Sequence, residues 1–288
     1  MCVYYNLACR NIYPCGDKMQ KPRVTILVPH YKTLTLTQLC LRLLRKYTEP
    51  GLAKVVVIDN DSQDESLAYL RALSWIKLIE RKAIPNETPV EAHARALDLA
   101  LAEVSTPYVL SIHTDTLVKH AKWLEFLLMQ IEKNPNIAGV GSWKLESKPF
   151  WRCLLKSIER QLQLAYYRLI GKSQHGIEGA GKNYYYLRSH CALYRMEFLK
   201  KYNLHFSDGE MVAGKEMHKQ LLHHGHEMHF LSSEILIPYL EHINHATTVL
   251  NPALSTRQKS VDKGLRRIEK SLARMQASVI LQDESLDR

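Results

Sequence analysis

The chain has 288 residues, 46% hydrophobic and 24% charged, an ordinary balance for a folded domain with a substantial core. The formal net charge of +10 points to an anionic partner, without choosing among nucleic acid, an anionic membrane surface and phosphorylated small molecules. No uninterrupted run reaches the ~18 apolar residues of a membrane span.

Six cysteines are present, and three of them, Cys2, Cys9 and Cys15, crowd the first fifteen residues without a paired zinc spacing. Cys40, Cys153 and Cys191 lie singly in apolar contexts as reduced core residues. With an N-terminus lacking an apolar h-region, they point to a reducing cytoplasm, where the sequons at Asn60 and Asn86 go unused.

In chain order, residues 1–21 show no period and read as a leader. Val24 to Val28 is an apolar strand stopped by Pro29, and Thr37 to Tyr47 is an amphipathic helix ended at Glu49-Pro50-Gly51. Lys54 to Ile58 is a second buried strand that stops in Asp59-Asn60-Asp61-Ser62-Gln63-Asp64. A helix over Glu65–Leu73, a strand over Ile76–Ile79 and a helix over Glu91–Glu103 follow. The run from Tyr108 to Ile112 then ends in His113-Thr114-Asp115. Strands of continuous apolar character alternating with helices predict a mainly parallel sheet covered on both faces.

Beyond Asp115 the spacing predicts a helix over Trp123–Ile131 and a strand over Ile137–Trp143. Next come a long amphipathic segment over 149–170 with interleaved aromatic and basic residues, and a glycine-rich loop over Gly171–Lys182. Tyr184–Tyr194 reads as a strand leading to a short helix, Met217–His224 as a helix, and His226–Leu231 as a strand. Ile235–Leu240 is an apolar run, and Thr256–Val279 is a helical tail with a basic face. The boundaries are a leader (1–21), one domain with a nucleotide half (22–116) and an acceptor half (117–250), and a basic tail (251–288).

Several motifs exclude themselves. Asp59 to Asp64 lacks the sixth-position glycine of a calcium loop, and Leu70 stands where its bidentate glutamate belongs. Gly176 to Asn183 departs from a P-loop because Asn183 replaces the Ser or Thr that contacts Mg²⁺. His223, His224, His226 and His229 do not form a His-Glu-x-x-His zinc helix. No aromatic platform or helix-turn-helix supports specific nucleic-acid binding. What remains is polar chemistry at the carboxyl ends of strands, where open α/β sheets bind ligands.

Three of those strand ends occur in a recognisable order: Val28-Pro29-His30-Tyr31, Ile58-Asp59-Asn60-Asp61-Ser62-Gln63-Asp64 and His113-Thr114-Asp115. Over roughly residues 23–245 the chain resembles family 2 glycosyltransferases, which have the GT-A fold, a Rossmann-like mixed sheet, and use nucleotide-diphosphate sugars. The resemblance implies that Pro29, His30 and Tyr31 line the nucleotide pocket and that Asp59, with Asp61 beside it, holds base or ribose. His93, Arg95, His113 and Thr114 would lie near the sugar diphosphate. Asp115 would bind Mg²⁺ or Mn²⁺ across the diphosphate, with His245 or His242 as the late histidine that completes the metal shell. His113 replaces the first aspartate of the usual metal motif, and an imidazole adds no negative charge to such a site.

The family places its catalytic base in a Glu-Asp pair before a helix, and this chain has no such pair. Glu216 is nearest in register, with Glu210 and Asp208 as alternatives. The implied activity is inverting transfer to a glycan or lipid-linked acceptor in surface polysaccharide synthesis, with peripheral contact to an anionic membrane. The rival reading is a non-catalytic nucleotide-binding scaffold.

Overall fold

The computed structural model describes residues 21–146, 150–170, 179, 181–209, 212–244, 246–251 and 258–288. Residues 1–20 of the expected leader and most of the glycine-rich loop lie outside the described residues.

The first half alternates strictly. β1 (Val24–His30), β2 (Ala53–Asn60), β3 (Ile76–Arg81) and β4 (Tyr108–Ile112) are parallel, joined by α1 (Leu34–Tyr47), α2 (Glu65–Ala72) and α3 (Pro89–Leu101). Local chemistry opens the crossover helices. Asp64 caps α2 by accepting from Ser66 N–H at 3.1 Å, and Thr88, Glu91 and Pro89 give α3 a capping box with proline in its first turn.

Alternate strand residues feed the two faces of the sheet. Ile26, Val28, Val55 and Val57 enter one core with Leu39, Leu43 and Leu124, while Leu27, Val56 and Ile58 enter the other with Ala94, Leu97 and Met217.

After β4 the chain turns at His113–Asp115, with Thr116 N–H bonded to the His113 carbonyl at 3.0 Å. It then leaves the main sheet. β5 (Thr116–Val118) pairs antiparallel with β9 (Leu240–His242) in a separate two-stranded sheet. Between them come α4 (Trp123–Glu132), β6 (Ile137–Gly141), α5 (Phe150–Leu169), β7 (Cys191–Arg195), α6 (Met196–Lys201), α7 (Lys215–His223), β8 (Glu227–Phe230) and α8 (Ser233–Leu236). The main sheet runs β3-β2-β1-β4-β7-β6-β8, with β7 antiparallel to both of its neighbours. This is a mixed, mainly parallel sheet covered by helices on both faces, as the strand pattern predicted.

Two expectations are corrected in detail. The strand expected over Tyr184–Tyr194 covers only Cys191–Arg195, because Tyr185 and Tyr186 pack edge-on against Trp143 and Tyr184 lies edge-on to Tyr186. The approach of β6 to β7 is set by Gly141, where an added Cβ would stand 2.4 Å from the Cys191 carbonyl oxygen.

The single tail helix is two among the described residues. α10 (Gln258–Arg274) ends before Gln276, whose φ is +51°, and α11 (Ala277–Gln282) folds back so that Ala277 and Ile280 enter the core beside α1. A short α9 (Ala246–Leu250) precedes α10.

Two buried imidazoles give the fold a pH dependence. His218 and His30 are each 1% exposed. His218 Nδ1 lies 3.4 Å from Leu187 N–H, from which it accepts, and the His30 ring nitrogens each lie 2.7 Å from a hydroxyl, Thr37 or Ser66. Burial pushes His218 down to about 4 and lowers His30 despite the nearby Asp59 and Asp64 carboxylates. Both rings are therefore neutral in the fold and take a proton on unfolding. Their contribution is complete above the ordinary histidine value of 6.5 and falls away below it, for His218 as pH approaches about 4. For His218 alone about 2 kcal/mol is gone by pH 5. Urea denaturation at pH 7 and pH 5 measures the loss, and an unchanged midpoint would mean that neither ring is held neutral.

Candidate functional site

The order β2-β1-β4 puts the carboxyl ends of three parallel strands at one sheet edge, where the chain's path reverses between β1 and β4. Asp59 ends β2 directly opposite His30 of β1, and His113–Asp115 follows β4. Asp59 and the His113 turn are two strand spacings apart, roughly 10 Å.

Asp59 is 2% exposed. Its Oδ2 accepts from Ser62 N–H at 3.1 Å, while Oδ1 is buried without a hydrogen bond, 3.8 Å from His30 Nε2. Pro29 lies buried in β1, Tyr31 is half-buried at its end, and Lys32 N–H donates to Ser62 Oγ at 3.1 Å, tying the two strand ends together. Asp61 faces outward in the left-handed region (φ +62°), accepting from Gln63 and from Ala83 N–H.

At the end of β4 the fold assembles a cluster of imidazoles around one carboxylate. Asp115 is 4% exposed. His242 Nε2 lies 3.4 Å and His113 Nδ1 3.9 Å from its Oδ1, and Ala246 N–H donates to its Oδ2 at 3.2 Å. The β5–β9 pairing brings His242 there by setting it opposite Thr116, with Ile243 N–H bonded to the Asp115 carbonyl at 2.9 Å. Thr114 is buried in the same turn.

Ser189 Oγ sits between two rings, 3.0 Å from His113 Nε2 and 3.0 Å from His93 Nε2. His190 stacks on His242 with centroids 4.6 Å apart and 10° between planes, and its Nε2 meets Ser142 Oγ at 2.9 Å. His93 lies edge-on to His113 at 4.8 Å.

These groups are electrostatically poised. Burial pushes His93 down to about 4 against the attraction of Asp115, and it likewise lowers His113 and His190, so all three rings are neutral at pH 7. Burial alone would raise Asp115, but His242, His113 and the Ala246 N–H outweigh it and hold the carboxyl well below its usual range. His242 is close enough to act on Asp115 yet poorly directed, so Asp115 Oδ1 remains a buried acceptor without a hydrogen bond.

An ionised, unsatisfied oxygen beside two imidazole nitrogens is the donor set of a divalent ion. One atom each from His113, Asp115 and His242 lies within 4.8 Å of the others. With His113 Nδ1 turned to an ion, its Nε2–H donates to Ser189 Oγ and the Ser189 hydroxyl donates to His93, which fixes the ring.

The remaining described candidates have partners of their own. Arg95 is bonded to Glu87 at 3.1 Å, and Glu87 is itself buried against Arg81. Asp208 accepts from His205 N–H at 2.7 Å, and Glu216 in the first turn of α7 accepts from Gln220 at 2.7 Å. Both belong to a loop anchored to α3 by Asp98, which accepts from Phe206 and Ser207 N–H at 2.6 and 3.1 Å. Glu210 and His245 lie outside the described residues.

Sequence reasoning missed Arg188, Ser189 and His190. Their one signal is a polar run directly before the apolar Cys191–Tyr194. That run marks the site edge only if the following strand is antiparallel to β4, which periodicity does not reveal.

The family model described as Glycosyl transferase family 2 matches residues 25–203. No curated protein matches the chain. Among solved structures, the chain is similar to the mannosyltransferase PcManGT from Pyrobaculum calidifontis in complex with GDP-Man and Mn²⁺. The identity is 17%, over 80% of this chain and 61% of that one, with a TM-score of 0.52. The chain thus spans about three fifths of that enzyme's length. It also matches S. aureus TarS 1-349 at 14% identity over 85% of this chain and 70% of that one, with a TM-score of 0.49.

Proposed function

The chain belongs to glycosyl transferase family 2, and from that premise we propose that it moves a sugar from a nucleotide-diphosphate donor to an acceptor hydroxyl with inversion. The observation that carries the reading is the buried, hydrogen-bond-free Asp115 Oδ1 between His113 and His242, on the same sheet edge as Asp59.

In this reading Asp59 accepts from base or ribose between Pro29 and Tyr31, with His30 and Asp61 supporting the strand ends. Asp115, His113 and His242 hold a divalent ion, which when bound neutralises charge on the departing diphosphate. Thr114 and His93 shape the same wall, and Ser189 keeps His113 in register. The acceptor oxygen forms its bond to the anomeric carbon as the bond to the diphosphate oxygen breaks, and a carboxylate on the Asp208–Glu216 loop takes the acceptor proton. Glu216 is our first choice for that carboxylate, with Asp208 and Glu210 as alternatives.

The donor set also chooses the ion. Mg²⁺ prefers oxygen ligands and keeps its water, whereas Mn²⁺ accepts imidazole readily, so a site of two histidines and one carboxylate favours Mn²⁺. Release of nucleoside diphosphate across a donor panel, with Mn²⁺ and with Mg²⁺, tests both claims. The expected result is turnover of one donor, at least about tenfold faster with Mn²⁺. Binding without turnover of any donor would favour the scaffold reading.

A glycan or lipid-linked acceptor at an anionic membrane completes the proposal. On α5, Leu155, Ile158, Leu162, Tyr166 and Leu169 recur at three- and four-residue spacing, all exposed, with Leu169 at 85%. Such an unpartnered stripe on a basic chain fits the interfacial layer of an anionic bilayer. No helix among the described residues is long and apolar enough to cross a membrane. Co-sedimentation with phosphatidylglycerol vesicles should be lost in a Leu162→Glu/Leu169→Glu variant, and undiminished binding would remove this part of the proposal.

A further inference from the structure

Arg188 is a partly buried cation that makes no ion pair among the described residues. Among the described residues no carboxylate lies within ion-pair distance of it, and its Nε is buried without a hydrogen bond. Its guanidinium carbon stands 4.1 Å from the centroid of the Trp143 ring and 5.7 Å from that of Tyr186, and its backbone N–H donates to the Ser142 carbonyl at 3.0 Å. The next two residues are Ser189, which joins His113 and His93, and His190, which stacks on His242. Its charge also helps to keep His113 and His190 unprotonated. Arg95, the arginine that the sequence offered for a phosphate, is paired with Glu87 instead.

A guanidinium stacked on an indole face is held in a plane and keeps its N–H edge available. That edge matches the oxygens of a phosphate, and a partly buried guanidinium not already engaged by a carboxylate is free to make such a charge-assisted contact. Charge balance points the same way. A divalent ion and Arg188 against Asp115, the one carboxylate of the described imidazole cluster, leave that cluster two charges positive, suited to a diphosphate.

We infer that Arg188, stacked on Trp143, is the diphosphate-binding arginine of this site, gripping the nucleotide's phosphate oxygens beside Asp115. The inference rests on the glycosyltransferase reading above and adds a residue to the donor site.

The experiment is calorimetric binding of UDP and GDP with Mn²⁺ present, alongside UMP and GMP, to wild type, Arg188→Gln and Arg188→Lys. The expected result is a diphosphate affinity at least about tenfold weaker in Arg188→Gln, an intermediate loss in Arg188→Lys, and monophosphate binding changed by less than about threefold. Diphosphate affinity equal to wild type in both variants overturns the inference. If that result comes with a raised KM for the acceptor, the arginine serves an acceptor phosphate instead. A wild type that binds neither diphosphate removes the glycosyltransferase reading itself, an outcome distinct from failure of the arginine assignment alone.

Discussion

Asp115→Asn should lower kcat/KM by about 10³-fold while leaving the fold intact, because it removes the only carboxylate of the proposed ion site and none of its packing. The asparagine oxygen can still accept from Ala246 N–H, the bond that wild-type Oδ2 makes at 3.2 Å. The substitution does give up an ionised carboxylate that the fold favours, despite its burial, through His242, His113 and the Ala246 N–H. The unfolding midpoint should therefore fall by a few degrees while the protein stays folded. Mn²⁺ binding, measured calorimetrically, should vanish with the activity. Transfer at the wild-type rate in this variant would sink the ion site and leave the imidazole cluster without a chemical role.

Arg42→Ala should cost about 3 kcal/mol of stability, because it breaks a partly buried ion pair and a charge-assisted hydrogen bond to the backbone together. Arg42 is 4% exposed on α1, and its Nε donates to Asp287 Oδ1 at 2.9 Å. The same guanidinium also donates to the Ile280 and Leu281 carbonyls at the end of α11. Truncation strands Asp287 with only Tyr69, whose hydroxyl donates to it at 2.8 Å, and takes the arginine's donor from the Leu281 carbonyl, while the Ile280 carbonyl still accepts from Asp283 N–H at 3.2 Å. A fall in unfolding midpoint of roughly 6–10 °C is the readout. Arg42→Ala combined with Asp287→Ala should recover part of that loss, since the orphaned carboxylate is gone. A loss below about 1 kcal/mol would show that apolar packing of Ala277 and Ile280 alone docks the tail.

The same interaction shows where sequence reading stops. The basic face of the tail was legible, and it suggested a helix turned toward an acceptor or a membrane. A single arginine on α1, some 240 positions earlier, folds the end of that tail back onto the body. Nothing within either segment announces the pairing, because each looks complete as an amphipathic helix. The exposed stripe of α5 is the opposite case. Its periodicity is plain in the sequence, but only the structure shows that nothing among the described residues covers Leu162 or Leu169.

The sequence by itself determined the architecture and the family. Apolar runs and their abrupt polar ends are local signals, and local signals survive without coordinates. It also brought Asp59 and Asp115 forward, since parallel strands of one sheet must end on one edge. The tertiary structure decided which residues share Asp115's surroundings. His242 arrives through the two-stranded β5–β9 sheet, and Ser189 and His190 arrive because β7 runs antiparallel to β4. Those partners lie 70 or more residues from the turn they meet, and strand pairing over such distances depends on the whole core rather than on any run of neighbours.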